Sequence, residues 1–322
     1  MTVQWGILST ARINDKFLAG LAGSRTGRAV AVASRDAARG RAYARERGIP
    51  RVHDSYDALL QDPDVEAVYV SLPNALHLEW TRRALEAGKH VLCEKPLGRR
   101  AADVEAIFDV AERAGRLLME AFMYRHHPQT ARLVALMGAG AIGRLRVVRS
   151  SFGFNLTDSS DVRLSRDLEG GALMDVGCYC VSATRLLAGE AEQVSGQTLI
   201  GGDGVDIAFA GLIRCPHGVL AHFDAGLVFA DRYELEVVGD EATLRVADPW
   251  HCRNPGIELR RDDSVKRIDV PAANPYTLEA DNFAAAIRGE AAPLLDRADA
   301  VSQARTIEAL YAAAETGLPT GV

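Results

Sequence analysis

The 322-residue sequence predicts an α/β protein of two domains. A doubly wound parallel sheet is expected over residues 1–121, and an α+β half with a large, mostly antiparallel sheet over residues 122–322. Three observations carry this. The length corresponds to about two domains at roughly 100–200 residues each. The first 120 residues alternate short, continuously apolar runs with longer helical patterns, as strands covered on both faces require. Beyond Met123 the rhythm changes to alternating strands with hairpin-like spacing.

In the first half, Val3–Leu8, Ala29–Ser34, Ala67–Ser71 and His90–Glu94 read as strands, rich in β-branched residues or bounded by turn signals. Helical patterns occupy Asn14–Ala22, Arg35–Arg47, Asp54–Gln61, Ala75–Ala87 and Ala101–Ala114. Repeated β-α-β units of this kind build a Rossmann-type nucleotide-binding sheet. In the second half a helix over Pro128–Met137 leads into a strand, Arg144–Phe154. A helix over Gly171–Leu187 separates it from strands at Val205–Arg214, Val219–Phe229, Tyr233–Val238, Thr243–Ala247, Gly256–Arg260 and Lys266–Val270. Amphipathic helices at Thr277–Arg288 and Ala298–Glu315 close the chain. Strands as apolar as Val219–Phe229 do not suit a solvated face, so a homodimer or homotetramer through this sheet is expected.

Composition narrows the function. With 37 basic and 43 acidic residues the net charge is −6, and the arginines form no basic block, which disfavours nucleic acid. No apolar run reaches the ~18 residues of a membrane helix, and the N-terminus has no signal-peptide pattern. Five scattered cysteines without a C-x-x-C pair argue against disulfides or a zinc ribbon and for a reducing, cytoplasmic setting. A cytoplasmic two-domain enzyme is the expectation. No metal is expected, because His126-His127 lacks converging carboxylates.

The turn after the first strand is Ser9-Thr10-Ala11-Arg12-Ile13-Asn14, without the glycines of G-x-G-x-x-G. Small side chains at Ser9 and Ala11 still let backbone N–H groups approach a pyrophosphate at a helix N-terminus. At the end of the second strand, where NAD-preferring domains carry a carboxylate for the ribose 2′-OH, stand Ser34 and Arg35, with Arg39 one turn on. A hydroxyl and guanidinium suit a 2′-phosphate, so NADP(H) is expected over NAD(H). Lys95 follows the strand His90–Glu94, at the edge that faces the ligand crevice in open α/β sheets. Asp175 and Tyr179 are four apart, on one helical face. By spacing alone they read as a capping and a packing residue. Gly177 between them costs helix stability and signals a close approach.

Together these motifs resemble the Gfo/Idh/MocA family, the glucose–fructose oxidoreductase and inositol dehydrogenase group. The resemblance is carried by Trp5-Gly6-Ile7-Leu8-Ser9-Thr10-Ala11, by Leu72-Pro73-Asn74 with His77, and by Gly88-Lys89-His90-Val91-Leu92-Cys93-Glu94-Lys95-Pro96-Leu97. Glu120-Ala121-Phe122-Met123-Tyr124-Arg125 with His127-Pro128-Gln129, and Gly170-Gly171-Ala172-Leu173-Met174-Asp175-Val176-Gly177, complete it. Tyrosine at 179 is similar to the branch of glucose–fructose oxidoreductase, dimeric dihydrodiol dehydrogenase and NADP-dependent D-xylose dehydrogenase. Asn14 and the polar loop Asn155–Arg166 depart from that branch.

The resemblance implies hydride transfer between a nicotinamide and a CH–OH carbon of a sugar, cyclic polyol or dihydrodiol. It makes Tyr179 the general acid/base, with Lys95 lowering the phenol pKa and Asp175 orienting a substrate hydroxyl or Lys95. It places Ser9, Thr10, Ala11, Arg12, Ile13, Ser34, Arg35, Arg39, Ser71, Leu72, Asn74, His77, Glu94 and Lys95 at the cofactor, and Tyr124 and Arg163 beside Lys95, Asp175 and Tyr179 at the substrate. Two alternatives remain: a ketoreductase of a nucleotide-linked deoxysugar, whose diphosphate Arg163 and Arg166 would meet, and a non-catalytic sugar-sensing regulatory protein.

Overall fold

The computed structural model describes residues 2–322, which form two compact units. The first holds residues up to Gly98, then Ala102–Met123 and Asn274–Val301. Its sheet comprises β1 (Val3–Leu8), β2 (Gly27–Ala33), β3 (Arg51–His53), β4 (Ala67–Val70), β5 (His90–Glu94) and β6 (Leu118–Ala121). All pairs are parallel, in the order β3-β2-β1-β4-β5-β6, the doubly wound arrangement expected. The helices α1 (Ile13–Gly23), α2 (Ala37–Arg47), α3 (Tyr56–Leu60), α4 (His77–Glu86) and α5 (Ala101–Ala114) connect these strands. The continuous apolar runs are buried as their composition requires: every residue of β4 is buried. Trp5 packs edge-on against Phe17, which stacks on Tyr69 with centroids 3.9 Å apart.

The second unit holds Arg99–Ala101, Tyr124–Ala273 and Ser302–Val322. It contains α6 (Pro128–Gly138), β7 (Leu145–Asn155), α7 (Cys178–Ala188), β8 (Gln193–Ile200), β9 (Asp206–Arg214), β10 (Leu220–Gly226), β11 (Val228–Gly239), β12 (Thr243–Val246), β13 (Gly256–Arg261), β14 (Ser264–Asp269) and β15 (Thr320–Gly321). The sheet order is β14-β13-β12-β11-β7-β10-β9-β8-β15, with β7 and β10 parallel and the other pairs antiparallel. Leu199, Leu212 and Leu220 are each more than half exposed.

Strands β3, β6, β8 and β15 lie where no strand is expected, and three further features differ. The run Val219–Phe229 breaks at Leu227, and β10 and β11 are not a hairpin, because β7 lies between them. The helix expected over Gly171–Leu187 starts with a π-helical turn, Leu173–Gly177, before α7. The helix α8 (Pro275–Ile287) belongs to the first unit rather than the second. A Cβ on Gly20 of α1 would lie 2.6 Å from that of Tyr276, and Phe283 packs on Trp5. The apolar face of α8 is set by its residues, but which sheet it covers is set by tertiary fit. The helix α9 (Arg297–Thr316) follows, in the second unit from Ser302 onward. Among the described residues no helix is long and apolar enough to cross a membrane.

Candidate active site

The cofactor turn opens where β1 ends. Ser9 adopts φ +115°, backbone that glycine enters without the steric penalty a side chain brings. Hydrogen bonds hold it there. The Ser9 N–H donates to Ala33 O (3.1 Å), and its hydroxyl lies 3.0 Å from that of Ser71 and accepts from the Ala11 N–H (3.1 Å). Asn14, fully buried, donates through Nδ2 to Ser9 O (3.0 Å). The turn thus keeps the shape of a glycine turn by polar fastening, and Asn14, the departure noted above, is one of the fasteners. No side chain caps the N-terminus of α1.

At the end of β2, Ser34 is buried and its hydroxyl accepts from the Asp36 N–H (3.2 Å). The Asp36 carboxylate caps α2 through the Arg39 N–H (3.0 Å), so its charge is committed to the helix. Exposed Arg39 donates to Thr10 O (3.3 Å), which brings a guanidinium over the first turn. Burial pushes the Tyr56 phenol up, while Arg35, in hydrogen-bonding range, and then Arg39 pull it back.

The loop carrying Lys95 is braced from three sides. His77, 1% exposed, spans two carbonyls, Leu72 O and Pro96 O, each 2.8 Å away. Burial pushes its pKa down to about 4, against the two carbonyls, and the Lys95 charge adds to the lowering. The ring thereby ties the loops after β4 and β5 together. The Leu97 N–H donates to Glu120 Oε1 (2.7 Å), and the Tyr69 hydroxyl donates to Glu94. Beneath them Glu279 of α8 is 1% exposed with both carboxyl oxygens unpartnered. Burial, and then the charge of Glu94, hold its pKa well above the carboxylate range, so Glu279 keeps its proton. Lys95 itself is half-buried, joined to Pro96 by a cis peptide.

In the second unit the π-helical turn sets Asp175 and Tyr179. Such turns recur at functional sites. The Leu173 N–H donates to Asp206 Oδ2 (2.7 Å), and Asp206 Oδ1 accepts from the Tyr311 hydroxyl (2.9 Å). Gly171, at φ +125°, leaves the space Asp206 fills, since a Cβ there would strike the carboxylate. A Cβ on Gly177 would lie 2.9 Å from Leu173 and 3.2 Å from Ala225 of β10, the close approach its presence signalled. Asp175 is half-buried and paired with Arg163 Nε at 2.9 Å. Tyr179 is 7% exposed, its ring enclosed by Phe152, Tyr124 and Trp250 at centroid distances of 5.2, 5.7 and 5.9 Å. Tyr124 is itself buried, its hydroxyl donating to Ser182 Oγ (2.8 Å). It backs the Tyr179 ring.

Phe152, Trp250 and Asp206 escaped the sequence reading. Phe152 lies on a strand and Trp250 in a loop about 100 residues further on, and neither has a local pattern that distinguishes it from core. Among the described residues no three metal-ligating side chains converge.

A dinucleotide-type turn with a braced lysine in one unit, and an acid–tyrosine turn in the other, define an oxidoreductase architecture. Residues 3–122 match the oxidoreductase family with an NAD-binding Rossmann fold, GFO/IDH/MocA, and residues 130–245 match the GFO/IDH/MocA C-terminal domain. The chain belongs to this family. It is 40% identical to D-xylose 1-dehydrogenase (NADP(+)) 2 of Haloferax volcanii, over 98% of each chain. Its fold matches the aldose-aldose oxidoreductase of Caulobacter crescentus complexed with glycerol, at TM-score 0.93 and 26% identity over 100% of both chains. It also matches a 3-ketoreductase of Actinomadura kijaniata in complex with NADP and TDP-benzene, at TM-score 0.92 and 32% identity over 97% and 98% of the chains.

Proposed function

We propose that the protein is an NADP(H)-dependent oxidoreductase acting on a secondary alcohol, ketone or hemiacetal carbon of a sugar, cyclic polyol or dihydrodiol. The observation that carries this reading is Tyr179: a phenol in an aromatic enclosure, in the first turn of α7 and directly after the π-helical turn that presents the Asp175 carboxylate. The 40%-identical D-xylose dehydrogenase supports the cofactor and substrate class.

When bound, the cofactor supplies or accepts the hydride. The turn from Ser9 through Ile13, entering α1, would receive the pyrophosphate, and Ser34, Arg35 and Arg39 the 2′-phosphate. Ser71, Leu72, Asn74, Glu94 and Lys95 would line the nicotinamide end, with His77 holding two of their loops in register. Tyr179 exchanges the proton of the reacting hydroxyl, Lys95 donates to its oxygen, and Asp175 orients a neighbouring hydroxyl.

Tyr179→Phe should cut turnover of the best sugar by ~10²-fold or more while NADPH binding, followed by fluorescence, stays unchanged. An active Tyr179→Phe enzyme refutes the assignment. Arg35→Ala should raise the KM for NADP(H) far more than for NAD(H); equal effects refute the phosphate contact. A second reading, reduction of a nucleotide-linked ketosugar, is favoured by the likeness to the 3-ketoreductase with TDP-benzene. The exposed leucines of β8, β9 and β10 support self-association through the open sheet face, which light scattering on Leu212→Glu would test.

A further inference from the structure

Cys178 is the residue at which the π-helical turn becomes α7. Its N–H donates five residues back, to Leu173 O, and its thiol donates to Asp175 O (3.5 Å). Its carbonyl accepts a bond from outside the helix: Gln303 of α9, 1% exposed, donates through Nε2 at 2.8 Å. The other end of that amide is also taken. Gln303 Oε1 accepts from a terminal nitrogen of Arg185 (3.1 Å), and the same guanidinium forks onto Glu190 at 2.8 and 2.9 Å. Cys178 and Arg185 lie two turns apart on one face of α7. Helical side chains slant toward the N-terminus, so Arg185 reaches back to meet the glutamine. The Arg185 side chain is 2% exposed and that of Glu190 60%. A run of hydrogen bonds therefore leads from a surface carboxylate to the backbone carbonyl next to Tyr179.

We propose that Gln303 is a positioning residue for Tyr179, acting through the Cys178 carbonyl and itself oriented by the Arg185–Glu190 ion pair. A guanidinium only donates and a peptide oxygen only accepts, so a side chain joining them must accept at one end and donate at the other. A primary amide does both; a carboxylate, an ammonium or a second guanidinium does not. What the bond controls is register. A π turn holds one residue more than the α turn it replaces. Relaxing it to α geometry would rotate the segment carrying Asp175 by about 100° relative to Tyr179, the angle one residue occupies around a helix. Fastening the junction carbonyl to α9 holds the Tyr179 side of that turn still. Misplacing a reacting group by about 1 Å costs up to ~10²-fold in rate, so the tie bears on turnover as well as on stability. This inference rests on the reading of Tyr179 as the acid/base.

The experiment compares Gln303→Leu and Gln303→Glu, each in the wild-type chain and in Tyr179→Phe. Leucine removes both bonds at similar volume; glutamate keeps the acceptor for Arg185 and loses the donor to Cys178 O. Amide hydrogen exchange over residues 171–182 should quicken about fivefold to tenfold in both, the scale of one lost hydrogen bond, with exchange in the first unit unchanged. Turnover of the best sugar should fall about tenfold or more, with the KM for NADP(H) within about twofold of wild type. In Tyr179→Phe the same substitutions should change turnover by less than about twofold, because a hydroxyl that is gone cannot be misplaced. If Gln303→Leu does not accumulate folded, Gln303→Glu reads the same bond. Unchanged exchange over 171–182, or an equal fall in turnover with and without the Tyr179 hydroxyl, overturns the proposal. Full activity of Tyr179→Phe alone would instead overturn the catalytic reading, and the exchange rates would still decide whether Gln303 holds the turn.

Discussion

Asp206→Ala is the substitution that most directly tests whether the π-helical turn is held or merely tolerated. The carboxylate is 4% exposed and accepts two hydrogen bonds, from the Leu173 N–H (2.7 Å) and the Tyr311 hydroxyl (2.9 Å). Hydrogen bonds to a charged group contribute about 1.5–3 kcal/mol each, and truncation also leaves both donors buried without partners. Against this, burial raises the Asp206 pKa, so ionising it in place already costs the fold something that alanine does not incur. The net loss should be about 3 kcal/mol, a fall in melting temperature of roughly 6–12 °C for a chain of this size. Asp206→Asn keeps an oxygen for the Leu173 N–H and removes the buried charge, so it should lose about 1 kcal/mol or less. Calorimetry measures both. Turnover should follow the same order, while the NADPH dissociation constant, which depends on the other unit, should not move. An Asp206→Ala protein melting within a degree of wild type would show that the turn keeps its shape without the clamp.

Two further outcomes follow from burial. His77, His90 and His126 have pKa values pushed down to about 4, 4 and 3, chiefly by desolvation. The unfolded chain takes up these protons near pH 6.5 and the folded chain does not, so stability is complete above that pH and falls as pH drops toward 4. Each contributes up to about 1.4 kcal/mol per pH unit, giving at most roughly 4 kcal/mol per unit near pH 5; a urea midpoint unchanged from pH 6.5 to 4.5 contradicts this. Asn14→Ala removes the bond that holds Ser9 O, and should cost about 1 kcal/mol and raise the KM for NADP(H) more than it lowers kcat. Equal kinetics in the two proteins would show that the Ser9 turn needs no such tie.

Much of this architecture was legible because the apolar runs are long enough to reveal what covers them. The strands β1 and β5 match their expected bounds, and Ser34, Lys95, Asp175 and Tyr179 could be singled out because a strand end or a helical spacing places them. β3 spans three residues and β6 four, too short for any periodicity to show, and the pairing of β10 with β7 depends on a crossover that spacing cannot reveal. The chemistry around the site was least legible where partners are distant in sequence. His77 reads as a helix-start residue until Pro96 O, 19 positions on, is found against its ring. The partner of the Tyr124 hydroxyl, Ser182, lies 58 positions away. Under the nucleotide-sugar alternative Arg163, with Arg166, reads as an anion receptor because spacing alone does not pair an arginine in a polar loop. Asp161, two residues earlier, was in plain view, yet only the short turn between them brings its carboxylate onto the guanidinium. A charge counted along the chain is therefore not the same charge placed in space: the cation of Arg163 already lies against the carboxylates of Asp161 and Asp175.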